Sequence, residues 1–430
     1  MLVPTTPSGC PRGGISVTAQ SVLFVNLRRI PREGLESLLA ARRLGYRVVL
    51  MGATPPNFAR ILLDEHYPID TYDRRISVEL ARTIAREHDI AGVANFTELD
   101  VQLVADITTD LGLPGMSAAA ALQARNKYAM KLALRHLRGL LPRFARVRSL
   151  DELRAAVVDI GLPAVIKPSG ASGSKGIFEL RAPADLEAAI GHLTEFARPE
   201  VDPVFRQFGA EFIVEEFIEG DEISVEGLVV TGNAHLVTVT DKLTSTPYHL
   251  ELQHALPSRL PAELIAEVGA CTKDVVAALG LDNCAFHLEL KCDDGRLRFI
   301  EIAARPAGDY IASHLIPLAT GIDFFENVIR AAVGEPLRLE PNRQLHAGVR
   351  FVLAEQPGRF EGLGGVEGMF AEPGYDHLFI EHPVGTRIAL PPKQFVLQRV
   401  AAICARHADR DSLDELLERA GRDVTVQITP

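Results

Sequence analysis

Two glutamates flanking a turn constrain this chain more than any other feature. The stretch from Ala285 to Arg305 reads Ala-Phe-His-Leu-Glu-Leu-Lys-Cys, then Asp-Asp-Gly, then Arg-Leu-Arg-Phe-Ile-Glu-Ile-Ala-Ala-Arg. Alternating apolar runs around a glycine turn predict a β-hairpin. A loop of Asp294, Gly295 and Arg296 sets Asp293 opposite Leu297 and Glu289 opposite Glu301. Opposed side chains lie ~5 Å apart at Cβ, where like charges repel. A shared cation relieves that repulsion, and Mg²⁺ is commonly bound through one or two carboxylates plus substrate phosphates. Glu289 and Glu301 are therefore the candidate metal ligands. Ala303 and Arg305 face the same side as Glu301, because strand side chains alternate. Arg305 offers a bidentate fork to a phosphate or carboxylate. A two-residue loop would put the two carboxylates on opposite faces. The plainer alternative is a pair of solvated glutamates on an edge hairpin.

The chain has 430 residues, too many for one core, so two to four domains or subdomains are expected. A hydrophobic share of 47% with 23% charge is that of a folded soluble protein. The formal net charge of −11 argues against a general nucleic-acid surface. The 5 cysteines show no metal or redox spacing, which fits a reducing compartment. No apolar run reaches the ~20 residues of a membrane span. The cytoplasm is the expected location. Residues 1–14 are expected to be a loose tail.

Strands at Ser21–Asn26, Tyr46–Met51 and Gly92–Phe96 alternate with helices at Glu33–Leu44, Ile76–His88 and Leu99–Leu111. That order predicts a parallel, doubly wound sheet over residues 15–115. The glycine fingerprint of dinucleotide sites is missing after the first strand. Asn126–Arg138 reads as a helix with Lys127 and Lys131 on one face; alone, a solvated basic stripe explains it. Ser149 and Glu152 form a capping box for the next helix. A strand, Ala164–Pro168, then enters the Gly/Ser loop Ser169–Gly176. Such a loop can wrap phosphate oxygens with backbone N–H groups, or can be an unliganded hairpin loop. Val214-Glu-Glu-Phe-Ile carries an acid pair, read as solvated without further context. A strand from Ala234 delivers Lys242 at its end. His249 and His254 follow in a stretch expected to be irregular. The segments Gln344–Ala354, Gln398–Arg406 and Val424–Ile428 are expected strands of a C-terminal α+β lobe that completes the sheet.

Taken in order, these motifs resemble the ATP-grasp superfamily of carboxylate–amine ligases. The match runs over roughly residues 115 to 340, in motif order. The resemblance implies an α/β protein with α+β lobes: an ATP-grasp region over 116–340, with a lid at about 147–216, between an N-terminal Rossmann-like domain and a lobe at 341–430. It implies ATP with Mg²⁺, or Mn²⁺, small-molecule carboxylate and amine substrates, and a homodimer as the common family state; no nucleic acid or membrane partner is expected. Lys127 and Lys167 match lysines that reach the nucleotide phosphates. Ser169, Gly170, Ser172, Gly173, Ser174 and Gly176 match the mobile lid loop. Glu215, Glu216, Phe217 and Ile218 match the segment that reads adenine, and Glu222 the ribose contact. Lys242 matches a lysine near the terminal phosphate, Glu289 and Glu301 the two magnesium ligands, and Arg305 the arginine on the acyl phosphate or carboxylate. The family often has an asparagine where this chain has Ala303, and His287, opposite it, is a candidate substitute ligand. Gln253-His254-Ala-Leu-Pro-Ser and Glu301-Ile-Ala-Ala-Arg-Pro-Ala-Gly-Asp309 resemble the L-amino-acid ligases of the bacilysin-synthetase type, in which a histidine at the place of His254 touches substrate. The expected reaction is amide formation through an acyl phosphate. A formate- or bicarbonate-using ligase and a non-catalytic ATP-binding module are the alternatives.

Overall fold

The computed structural model describes residues 20–430 except Arg29, Ser174, Lys175, Pro247, Pro392, Lys393, Phe395 and Val396. The expected tail at residues 1–14 lies outside the described residues. Four strands form the N-terminal sheet, in the order Glu65–Pro68, Arg47–Gly52, Ser21–Val25, Ile90–Ala94, all parallel. Every residue of Ser21–Val25 is buried, because helices cover both faces of a parallel sheet. Leu38 packs with Phe24 on one face, and Ile84 and Ile107 pack with Leu23 and Val49 on the other. The edge strand Glu65–Pro68 escaped the sequence reading because Glu-His-Tyr-Pro has no apolar alternation.

The sheet meets the rest of the protein at a close backbone approach. A Cβ on Gly92 would sit 2.2 Å from the Ala332 carbonyl oxygen, on the helix Phe324–Val333. Gly92→Val is therefore expected to destabilise the protein by about 1–3 kcal/mol through overpacking. A thermal midpoint equal to that of the parent would rule this out.

A second, antiparallel sheet follows the order Phe144–Val147, Phe212–Glu216, Ala164–Pro168, Phe178–Leu180. The helices Leu150–Ile160 and Asp185–Phe196 cover it through Leu153, Ile190 and Leu193. The predicted capping box is present. Ser149 Oγ accepts from the Glu152 N–H, and Glu152 Oε2 accepts from the Arg148 N–H, one residue earlier than the usual reciprocal bond.

The largest sheet has 8 antiparallel strands. Their order is Arg296–Ala303, Cys284–Asp293, Asp221–Val230, Asn233–Thr244, Glu251–Leu256, His346–Leu353, Arg399–His407 and Tyr375–Ile380. The last three strands come from beyond residue 340. His346–Leu353 and Arg399–His407 continue the sheet as expected, whereas Tyr375–Ile380 was not read as a strand. The expected strand at Val424–Ile428 instead joins a separate sheet in the order Arg387–Ile388, Gly358–Gly364, Thr425–Thr429. The bridge between the two halves is Glu251–Leu256. That corrects the expected irregular stretch: His254 lies on a strand, paired with Lys242 on one side and Val349 on the other. Pro247 and Pro257 bracket the segment and hid its strand character.

The hairpin also differs from expectation. Asp293 pairs with Arg296, so the turn has only two residues, Asp294 and Gly295, both at positive φ. A register shift then occurs between the Leu290–Phe299 and Glu289–Glu301 pairs, leaving Ile300 as an extra, bulged residue. The bulge restores what the short turn would have removed: Glu289 faces Glu301, and His287 faces Ala303. Among the described residues, no helix is long and apolar enough to cross a membrane.

Candidate functional site

One cleft of about 1390 Å³ runs between the two antiparallel sheets and reaches the C-terminal ends of the N-terminal strands. Glu289 and Glu301 lie on its floor. In the structure each carboxylate has its own cation. Lys127 Nζ is 3.1 Å from Glu301 Oε2 and donates to the Ala171 carbonyl at 2.6 Å. Lys127 thus ties Glu301 to the Gly/Ser loop. Lys242 Nζ lies 2.6 Å from Glu289 Oε1, 2.6 Å from Glu222 Oε1 and 3.0 Å from Glu251 Oε1. Burial opposes the Lys242 charge, but Glu222, Glu251 and Glu289 more than reverse this and hold its pKa well above the lysine range. Burial likewise opposes the Glu289 carboxylate, while Lys242 and His287 hold its pKa well below the usual range.

His287 bridges two acids. Its Nδ1 is 3.0 Å from Glu226 Oε1 and its Nε2 is 3.2 Å from Glu289 Oε1. Burial disfavours the imidazolium, but Glu226 and Glu289 outweigh it and raise the pKa to about 9. Both ring nitrogens therefore carry protons and donate at neutral pH.

The helix Lys127–Leu134 places a further lysine that the sequence reading treated as solvated. Lys131 is 1% exposed. Its Nζ lies 3.1 Å from Glu215 Oε1, and Lys167 Nζ lies 2.9 Å from Glu215 Oε2. Burial brings the Lys131 pKa down to about 8 despite Glu215. Glu215 is buried too, so the acid pair at 215–216 is not a solvated strand end. Its partner Glu216 faces outward to Arg143 and Arg298. The i, i+4 spacing of Lys127 and Lys131 was the available signal, but spacing alone cannot say which face is buried.

The other expected residues distribute as follows. Phe217 lines the cleft between cations, with Lys291 Nζ 5.6 Å and the Arg181 guanidinium 5.5 Å from its ring centre. The Ile218 carbonyl accepts from Lys291 Nζ at 3.0 Å. Ser172 and Gly173 line the cleft, whereas Ser169 is buried beneath it with its Oγ unbonded. Gly170 packs under Phe208, where a Cβ would come within 2.3 Å of the ring. Gly176 closes the loop at φ +74. Ser174 lies outside the described residues. Arg305 lines the cleft and pairs through Nε with Glu98 Oε2 at 3.1 Å. Burial opposes its charge, and Glu98 and Glu289 raise its pKa above the usual value.

His254 sits at the far arm of the cleft, 1% exposed. Neither ring nitrogen makes a hydrogen bond, although Asp309 Oδ2 is 3.5 Å and Glu251 Oε2 is 3.8 Å away. Asp309 and Arg399 line the same arm and were missed by the sequence reading. Arg399 Nη1 lies 2.6 Å from Asp309 Oδ1, and its guanidinium stacks 4.2 Å from the Phe351 ring centre. Asp309 and Tyr310 both have positive φ, a strained pair beginning four residues after Arg305.

Glu289 and Glu301 form an all-oxygen pair on one face, which suits a hard divalent ion such as Mg²⁺ or Mn²⁺. A family model described as "ATP-grasp domain" matches residues 160–314, and one described as "ATP-grasp N-terminal domain" matches residues 38–115. The chain belongs to the ATP-grasp superfamily. The crystal structure of the L-amino acid ligase from Bacillus licheniformis has the same fold, with a TM-score of 0.83, 21% identity, and coverage of 96% of this chain and 99% of that one. Alanine–anticapsin ligase of Bacillus subtilis is 29% identical over 56% of this chain, which spans 54% of that protein. This ATP-grasp chain therefore covers about half the length of that relative. Formate-dependent phosphoribosylglycinamide formyltransferase of Chlorobaculum tepidum is 28% identical over 82% of this chain and 86% of its own length.

Proposed function

We propose that this chain is an ATP-dependent ligase that activates a carboxylate as an acyl phosphate and condenses it with an amine, with an amino acid as the acid. The observation that carries the proposal is the facing of Glu289 and Glu301 in a cleft also lined by Lys127, Lys167, Lys242 and Arg305. A carboxylate is inert toward amines because hydroxide leaves poorly. Moving the γ-phosphoryl group onto it replaces hydroxide by phosphate as the leaving group. That transfer needs positioning and charge neutralisation more than covalent help. Glu289 and Glu301 would hold a divalent ion, which neutralises charge on the phosphate oxygens when bound. Lys127 and Lys167 would contact the phosphates, and Lys242 would neutralise charge at the terminal one. Phe217 and the backbone to Ile218 face the base, with Glu222 toward the ribose. The Ser169–Gly176 loop excludes water, which would otherwise hydrolyse the acyl phosphate. Arg305 orients the carboxylate, and His254 faces the acid substrate from the far arm. His287, protonated and bound to Glu226, acts as a cation beside Glu289 rather than as a replacement ligand for the missing asparagine.

Arg305→Ala is expected to lower kcat/KM for the acid substrate by about 10²-fold while changing ATP affinity little. Steady-state kinetics with the acid varied, beside calorimetric ATP binding, separates the two effects. The proposal itself is tested by ADP release over pairs of L-amino acids, with mass spectrometry of the product. A product at the summed mass less water supports it. Tight ATP binding with no substrate-stimulated ADP release over the same panel overturns it. The likeness to a formate-dependent enzyme over most of both chains favours a second reading, in which the acid is formate; adding formate and bicarbonate to the panel decides between the two.

A further inference from the structure

We propose that Lys131 is a positioning residue that turns Glu301 toward Glu289 by clamping the backbone bulge at Ile300. This rests on the metal-binding reading of the two glutamates given above. Near the turn, the strands pair Leu290 with Phe299 and Asp293 with Arg296. Continued without interruption, that register pairs Glu289 with Ile300 and Leu288 with Glu301. Glu301 would then share a face with Leu288, which is fully buried in the core behind the sheet. The single extra residue at Ile300 moves Glu301 onto the opposite face.

A bulge turns backbone groups out of the ladder, and buried ones need other partners. The Phe299 N–H donates to the Leu140 carbonyl at 2.9 Å. The Ile300 carbonyl accepts from Lys131 Nζ at 2.7 Å. Lys131 also lies 4.9 Å above the Phe299 ring centre and pairs with Glu215. One ammonium therefore meets the bulged carbonyl, the preceding ring and an acid of the neighbouring sheet. It sits on the helix that begins with Lys127, which pairs with Glu301 itself. The helix thus reads both the side chain of Glu301 and the backbone that aims it. Burying an ammonium is costly unless it is fully partnered, and all three contacts are to the bulge or to the nucleotide cleft.

The test is Lys131→Met, which keeps the stem and removes the ammonium. Its Mn²⁺ affinity, read from the free-ion electron paramagnetic resonance signal with a non-hydrolysable ATP analogue present, is expected to fall about tenfold or more. The Mg²⁺ concentration for half-maximal ADP release should rise in parallel, with most of the rate recovered at saturating Mg²⁺. Lys131→Arg, which restores a cationic donor, should recover most of the affinity. Should Lys131→Met not fold, the milder Lys131→Gln takes its place with the same outcomes. A folded variant with parental Mn²⁺ affinity, or one whose affinity is lowered equally by Lys131→Arg, overturns the proposal. The parent and Glu301→Gln serve as controls. A parent that binds no Mn²⁺ sinks the functional reading instead, whereas metal binding lost in Glu301→Gln but kept in Lys131→Met sinks only the clamp.

Discussion

Glu301→Ala is expected to lower substrate-dependent ADP release by about 10³-fold, at the upper end for loss of one preorganised electrostatic group. Folding should be nearly untouched. The Glu301 side chain is one-quarter exposed, and its ion partner is Lys127 at 3.1 Å. Partly exposed pairs contribute about 0–1 kcal/mol. Lys127 keeps its bond to the Ala171 carbonyl after the change. The thermal midpoint should therefore move by only a few degrees. A coupled ADP assay beside a thermal melt checks both parts. Near-normal amide synthesis by the variant would remove Glu301 from the metal site and the ligase reading with it.

Lys242→Met is expected to have a large effect on stability as well as on activity. One ammonium, 2% exposed, serves Glu222, Glu251 and Glu289. Its removal leaves three carboxylates crowded in the cleft, and breaking a buried pair costs about 3–5 kcal/mol. The pH dependence follows from the directions of the shifts. The Glu289 carboxyl is held well below its ordinary 4.5, so its contribution is present above that value and is lost as pH falls. The Lys242 ammonium is held above its ordinary 10.5, so its contribution is present below that value and is lost as pH rises. The gap between parent and variant should therefore be widest between these limits and should close in acid. Urea unfolding at a series of pH values measures it. A gap of constant size down to the acid limit would show that lost packing, not lost charge pairing, is responsible.

Much of the site was legible before the structure because its signals are local. Alternation around Asp-Gly marks a hairpin, and small residues after a strand mark a loop at the cleft. The Glu289–Glu301 pairing was read correctly, but by the wrong route: a three-residue loop was assumed, whereas the protein uses a two-residue turn and a bulge. The two routes give the same register, and no local pattern separates them. The partners of the bulged segment are the Leu140 carbonyl and the Lys131 ammonium, both far away in sequence.

The sequence by itself determined which segments alternate, where the turns fall and which residues bring charge to them. Those properties follow from backbone geometry over a few residues. Only the tertiary structure decided that Lys131 and Glu215 are buried together, that His254 lies on a strand beside Lys242, and that Asp309 and Arg399 share its arm of the cleft. Each of these depends on strand pairing or packing between distant segments. A lysine four residues from another looks the same in sequence whether its face meets water or a second sheet. Desolvation and the partners that offset it exist only once the chain has closed around them.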